Sequence, residues 1–565
     1  MAVDLARKVP LALLVLGQWA WTAGAKDPGL EAVAGSVAPP MLCIGEEDLS
    51  LLLRAEPQDK LVIGQTVVRV GNVFDPEDPE ENHLAFRTAN RLHRKTRDQV
   101  IHQQLLFQPG APFSSRLLEE SERLLRSNRY LYEAEICPFR VRGNEVDLLI
   151  TTRDVWTLIP SISYKRAGGA SSTRFEVEDY NFLGTGSEIV LKYQTSIDRD
   201  ISLYRYRDPS LRGSRTKLEV AFEDNSDGGL LSLDLHRPFY SLDSRWTSGL
   251  TAYSEERVDS LYQSGEIVDQ LAHEIDFVEA FFGRSSGLRQ GWVQRWTSGF
   301  SLERHQFSPP EDSTFTAPPP PGRTLAYPWI GFEALQDKFV ETTQLEKIGR
   351  TEDLNIGMSF QGRLGWSSSA FGADQDMAVF SLQARRGWTP GESVLILTGA
   401  GAGGRVGSDG FENFRLQGDA RLFWRNLGRH LFFVRLGLDA SRKLDPERQL
   451  LLGGDNGLRG YPLRFQDGDR RFLLTLEQRF FSKRHIFKLL RVGGAVFFDL
   501  GRAWFHGDES HSNSSPILKD LGLGLRFSSS RSGTANVIHL DVAFPLDANS
   551  SIDRVQWLVS TKETF

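Results

Sequence analysis

The sequence predicts a mainly β protein: an antiparallel transmembrane barrel of about sixteen strands preceded by one small α+β domain. Three observations carry this. Apolar and polar side chains alternate with period two from just after Asp154-Val155-Trp156 to the end of the chain. A secretory leader stands at the N-terminus. The 565-residue chain is rich in aromatics, with 36 Phe, 12 Trp and 12 Tyr, yet no apolar run is long enough for a helical span. A mean hydropathy of -0.31 suits such a barrel, because only every second strand residue meets lipid.

The leader is read from Arg7 and Lys8, the apolar run Val9 to Ala20, and the small-residue cleavage site Ala23-Gly24-Ala25. Residues 1–25 are therefore a signal peptide and 26–59 an N-terminal extension. Export permits a disulfide between the only cysteines, Cys43 and Cys137, although sequence alone does not pair them.

Residues 60–153 read as the small domain. Leu61 to Val73 is valine-rich and strand-like. Residues 75–82 are an acidic, proline-broken loop. Val100, Ile101, Leu105 and Leu106 predict a helix within Thr96 to Phe107. After Pro109-Gly110-Ala111-Pro112, Ser114 or Ser115 caps a second helix striped by Leu117, Leu118, Leu124 and Leu125. Tyr130 to Val141 and Val146 to Thr152 complete a β-α-α-β-β order.

Residues 154–565 read as the barrel. Leu191 and Tyr193 alternate with Lys192 and Gln194, and Leu231, Leu233 and Leu235 with Ser232, Asp234 and His236. Leu354, Ile356, Met358 and Phe360 follow the same rule and are expected to form a strand. The polar face carries charges, as a wet lumen tolerates. About 410 residues at roughly 25 per strand and connection give about sixteen strands. Ser308 to Gly322, with Pro318 to Pro321, is expected to be an external loop.

The densest signal lies near the C-terminus. Gly453-Gly454-Asp455-Asn456-Gly457-Leu458-Arg459-Gly460-Tyr461-Pro462 is a glycine-rich loop with one arginine at its centre. An arginine fork suits a buried carboxylate. Two candidates follow on strand-like segments: Glu477, with Arg479 two residues on, and Asp499 within Phe497-Phe498-Asp499-Leu500-Gly501.

Together these motifs resemble those of the outer-membrane assembly-factor superfamily, the BamA/TamA-like bacterial surface antigens. Leu458-Arg459-Gly460-Tyr461 is similar to the family's lumenal loop motif. Glu477-x-Arg479 resembles its E-x-R strand motif, and Phe497-x-Asp499-x-Gly501 its F-x-D-x-G motif. The resemblance implies that Arg459 meets Glu477 and Asp499 inside the barrel. It also implies that residues 60–153 are a POTRA domain. Asn181 to Gly186 resembles a turn after the family's first barrel strand, and Asp541 to Leu546 its penultimate strand. Val555, Trp557, Val559 and the terminal Phe565 resemble the family's insertion signal, with Thr561 and Glu563 departing from it.

The resemblance implies a bacterial outer-membrane protein with its N-terminal domain in the periplasm. Its function would be assembly, insertion or translocation of proteins, by a barrel opening between its first strand (about Arg174 to Tyr180) and its last. The partners would be the lipid bilayer, unfolded outer-membrane or secreted protein clients, and accessory periplasmic proteins. A dedicated two-partner secretion pore is the alternative. An outer-membrane hydrolase is less favoured, because no G-x-S-x-G motif occurs. The net charge of -7 argues against a nucleic-acid partner. With two cysteines, and histidines such as His83, His93, His102, His236, His273 and His305 scattered along the chain, neither a catalytic site, a metal nor a cofactor is expected.

Overall fold

A computed structural model describes residues 43, 61–310, 318–428, 430–507, 516–532, 536–547, 552–562 and 565. The leader, the rest of the N-terminal extension and Glu563 lie outside the described residues.

In the N-terminal domain, β1 (Val62–Gly71) runs parallel to β3 (Glu145–Asp154), and β2 (Leu131–Arg142) lies antiparallel on the other side of β3. Three helices accompany the sheet: α1 (Leu84–Leu92), α2 (Asp98–His102) and α3 (Ser115–Arg126). Helix α1 was not expected, and α2 is shorter than its apolar spacing suggests. The core joins Ile63, Ile101, Leu118, Leu125, Leu148 and Ile150. Asp147 is fully buried on β3. Burial pushes its carboxyl up. Hydrogen bonds from Arg142, the Gln65 amide and Arg140 outweigh that and hold it at about 2. A disulfide joins Cys43 to Cys137 on β2, with the Cα atoms 5.5 Å apart.

Asp154, at the end of β3, anchors the junction to the barrel. Its carboxylate accepts from the Thr96 amide at 2.8 Å and the Thr96 hydroxyl at 2.9 Å, and pairs with His93 Nε2 at 2.9 Å. The Asn181 amide group donates back to Thr96 Oγ1 at 2.8 Å, and the Arg97 amide donates to the Gly184 carbonyl at 3.0 Å. The turn at Asn181 to Gly186 is thus a docking surface for the small domain. It follows the second barrel strand, not the first.

The barrel is closed and antiparallel with 20 strands, not about sixteen. The first is Leu158–Ala167; Arg174 to Tyr180 belongs to the second (Ala170–Asp179) and its exit. The count was low because six strands fit within residues 158–237, and their connections are short. Closure pairs the edges that an open sheet would expose. Leu191, Tyr193, Phe222, Leu231, Leu233, Trp296, Ile330, Leu364 and Leu382 project outward and exposed, as the alternation anticipates.

The alternation misleads at one place. Between the tenth strand (Arg323–Gln336) and the eleventh (Ser359–Ser367), Phe339–Thr343 and Thr351–Asn355 form a separate hairpin. The hairpin folds into the lumen. Leu345, Ile348 and Ile356 are buried there against Phe423, Phe433, Phe481 and Phe565. Leu354 and Ile356 therefore pack inside and are not on a barrel strand. Arg126 of α3 holds the hairpin from below through Asp353, at 2.9 and 3.0 Å.

Candidate lumenal clamp

The connection between the fifteenth strand (His430–Arg442) and the sixteenth (Arg470–Ile486) enters the lumen from the mouth opposite the hairpin. The two ends follow from antiparallel order: one connection leaves an odd strand, the other an even one. Leu450–Leu452 and Gln466–Gly468 pair to form the neck of this loop. Leu458 and Tyr461 are fully buried with Leu452, Ala503, Leu518 and Ile552. Gly457 turns the chain at φ +136°, and a Cβ there would lie 2.1 Å from Leu473 Cδ2.

Arg459 is only 8 % exposed, and Asp499 is 0 % exposed. Arg459 Nε and Nη2 donate to the two oxygens of Asp499 at 2.7 and 3.0 Å, a bidentate fork. Nη1 donates to Glu477 Oε2 at 3.1 Å. The guanidinium lies flat on Phe497, 3.3 Å from the ring centroid. Each motif position now has a physical task. Phe497, Asp499 and Gly501 lie on the inward face of the seventeenth strand (Leu490–Trp504), because side chains repeat every two residues. Phe497 stacks, Asp499 binds, and Gly501 leaves room: a Cβ there would meet Leu452 Cδ2 at 3.1 Å.

Next to Arg459, the Gly460 amide donates to Asp520 Oδ2 at 3.0 Å, and the Tyr461 hydroxyl donates to the Lys519 carbonyl at 2.8 Å. Arg479 links the two inserts. Its Nε donates to Glu477 Oε1 at 2.8 Å, and its Nη1 donates to the Leu345 carbonyl of the hairpin at 2.6 Å. Glu477 therefore accepts from the loop on one oxygen and from Arg479 on the other. Arg526 and Asp541 form an adjacent buried pair, which sequence reasoning missed. Asp541 stood in the penultimate-strand motif, but the only signal for its pairing with Arg526 was inward parity on neighbouring strands.

The C-terminal residues divide. Trp557 is 63 % exposed on the outer face, Val555 is exposed and Val559 half-buried. Phe565 does not join them. It is buried in the lumen, its ring 4.9 Å from that of Phe481, and its amide donates to the Glu346 carbonyl at 2.6 Å. The expected outward parity fails because the last strand (Gln556–Lys562) ends before it. Of the histidines expected to be scattered, His273 and His305 are brought to 2.8 Å.

No family model matches the chain, and no curated protein does. Solved structures do. CdiB from Acinetobacter baumannii is similar at a TM-score of 0.44 and 12% identity, over 89% of this chain and 73% of that one. CdiB from Escherichia coli is similar at 0.40 and 13%, over 94% and 92%. BamA from Haemophilus ducreyi lacking POTRA domains 1-3 is similar at 0.39 and 13%, over 89% and 85%. The chain resembles BamA and CdiB.

Proposed function

We propose that this protein is a non-enzymatic outer-membrane assembly factor that inserts or translocates unfolded protein clients, using a barrel that opens sideways. The carrying observation is the seam. Among the described residues, the last strand meets the first through one residue pair, Val559 opposite Arg166. Other neighbouring barrel strands match over seven pairs or more. A seam this short separates at little cost, and each freed strand then offers unpaired backbone groups to an entering strand. The lumenal loop guards it from within: Leu463 packs on Ala167 of the first strand and Leu558 of the last, together with Phe497 and Ala543. Arg459 thus holds the element that covers the seam.

In this reading the N-terminal domain is a periplasmic POTRA domain, which receives the client at an edge of its sheet. The outward apolar side chains meet lipid, and closure satisfies the backbone there. A pore for one dedicated partner would have to expel both inserts from the lumen.

The test is a reversible lock. Arg166→Cys with Val559→Cys, oxidised, should stop insertion of barrel clients into proteoliposomes, and reductant should restore it. Insertion at the wild-type rate across a fully locked seam would end the proposal. Depletion in the native cell, followed by an outer-membrane protein census, separates the two client classes: broad loss of barrels means assembly, and loss of one secreted protein means a dedicated exporter.

A further inference from the structure

The two histidines lie on adjacent strands, His273 on the eighth (Glu266–Arg289) and His305 on the ninth (Trp292–Ser308). They are 1 % and 5 % exposed. Each ring has one nitrogen on a carboxylate: His273 Nδ1 on Asp259 Oδ2 at 2.7 Å, and His305 Nε2 on Glu303 Oε1 at 2.6 Å. Those carboxylates accept only, so they fix the N–H of each neutral ring on that side. The remaining nitrogens, His273 Nε2 and His305 Nδ1, then aim lone pairs at each other across 2.8 Å. Two lone pairs at that distance repel, so the arrangement calls for an electrophile between them.

A third donor is at hand. A Glu447 carboxylate oxygen lies within 4.8 Å of a ring nitrogen of each histidine. Glu447 belongs to the same inward loop as Arg459 and is itself held by Arg323. Two imidazoles and a carboxylate, each imidazole backed by an outer carboxylate, match the ligand type and supporting shell of a zinc-class divalent ion.

We propose that His273, His305 and Glu447 bind one zinc-class divalent cation, with Asp259 and Glu303 orienting the rings. Ligand distances of about 2.0–2.2 Å place two nitrogens roughly 3.3 Å apart, so loading widens the present gap by about half an ångström. The ion ties the loop to a wall eight strands round from the strand of Glu477. It is a second staple for the loop, at its entrance, where Arg459 is the staple at its tip. The inference does not depend on the insertion reading, since it needs only the loop and the wall.

The test uses the untagged full chain in detergent, stripped with EDTA and titrated with Co(II) and then Zn(II). The expected result is one equivalent of Co(II), with the visible absorption of a low-symmetry nitrogen–oxygen site, displaced by Zn(II). His273→Gln with His305→Gln should abolish that spectrum, and Asp259→Asn should weaken affinity about 10- to 100-fold. Glu447→Gln lies in the loop, off the barrel wall, and should weaken binding at least tenfold, which keeps the test usable if wall variants misfold. Folding of each variant is checked by heat-modified gel mobility. Wild-type protein that binds no Co(II), or variants that bind as the wild type does, overturns the proposal and leaves a shared proton between the rings.

Discussion

Among the described residues, Arg459 is the one cation that Asp499 touches, and Arg459→Ala removes it. Glu477 keeps Arg479 at 2.8 Å, with Arg526 3.7 Å away. Asp499 keeps the Thr475 hydroxyl at 2.8 Å, and Asp520 is its neighbour across the strand pair. The loss therefore falls on one stranded buried carboxylate. Breaking a buried pair on one side costs on the order of 3–5 kcal/mol. That is roughly a hundred- to several-thousand-fold in the docking equilibrium of the loop. The assay is proteolysis of the loop between residues 443 and 469 in bilayer-embedded protein, alongside the heat-unfolding midpoint. The variant should be cut rapidly and unfold at lower temperature while the N-terminal domain stays intact. Adding Asp499→Asn removes the stranded charge and should restore part of the protection. Arg459→Lys, which keeps the charge but loses the fork and the flat stack, should fall between. A loop as protected in Arg459→Ala as in wild type would refute the clamp. An Asp499→Asn addition without effect would refute the assignment of the cost to that carboxylate.

Three further outcomes follow from other contacts. Gly457→Val places a branched side chain at φ +136° and into Leu473; it should undock the loop by about 1–3 kcal/mol, read by the same proteolysis. Cys137→Ser opens a link across 94 residues and should lower N-terminal domain stability by about 2–4 kcal/mol, measured by chemical denaturation with and without reductant. Asp147 is held at about 2, below its ordinary 3.8, so its contribution is full above the unfolded value and fades as pH falls through 2. Pepsin cleavage within residues 61–154 should therefore rise across that window, and Asp147→Asn should flatten the dependence.

The clamp was legible because each half is local. Phe497, Asp499 and Gly501 share a face by strand parity alone, and Arg459 sits among glycines whose freedom a plain hairpin would not need. Parity also placed Leu191, Tyr193, Leu231 and Leu233 outside. What it could not give is the partner of an inward or outward residue. Leu354 and Ile356 alternate like a lipid-facing strand but belong to the inserted hairpin, since the pattern records a strand's two faces and not which sheet it joins. Phe565 has outward parity, yet its strand stops at Lys562. His273 stands opposite Phe307, and His305 opposite Ile275; the two histidines are diagonal neighbours, visible only once the register is known. The Arg126 contact to Asp353 spans more than two hundred residues and has no signature in either segment.

The hairpin and the loop come from opposite mouths and meet at Arg479, one hydrogen bond from each side of the Glu477 bridge. In planar bilayers such a cylinder should carry almost no resting current despite its girth. A cell could then keep many copies of so wide a cylinder without becoming leaky to small solutes, and any surge in conductance would report that a plug had left.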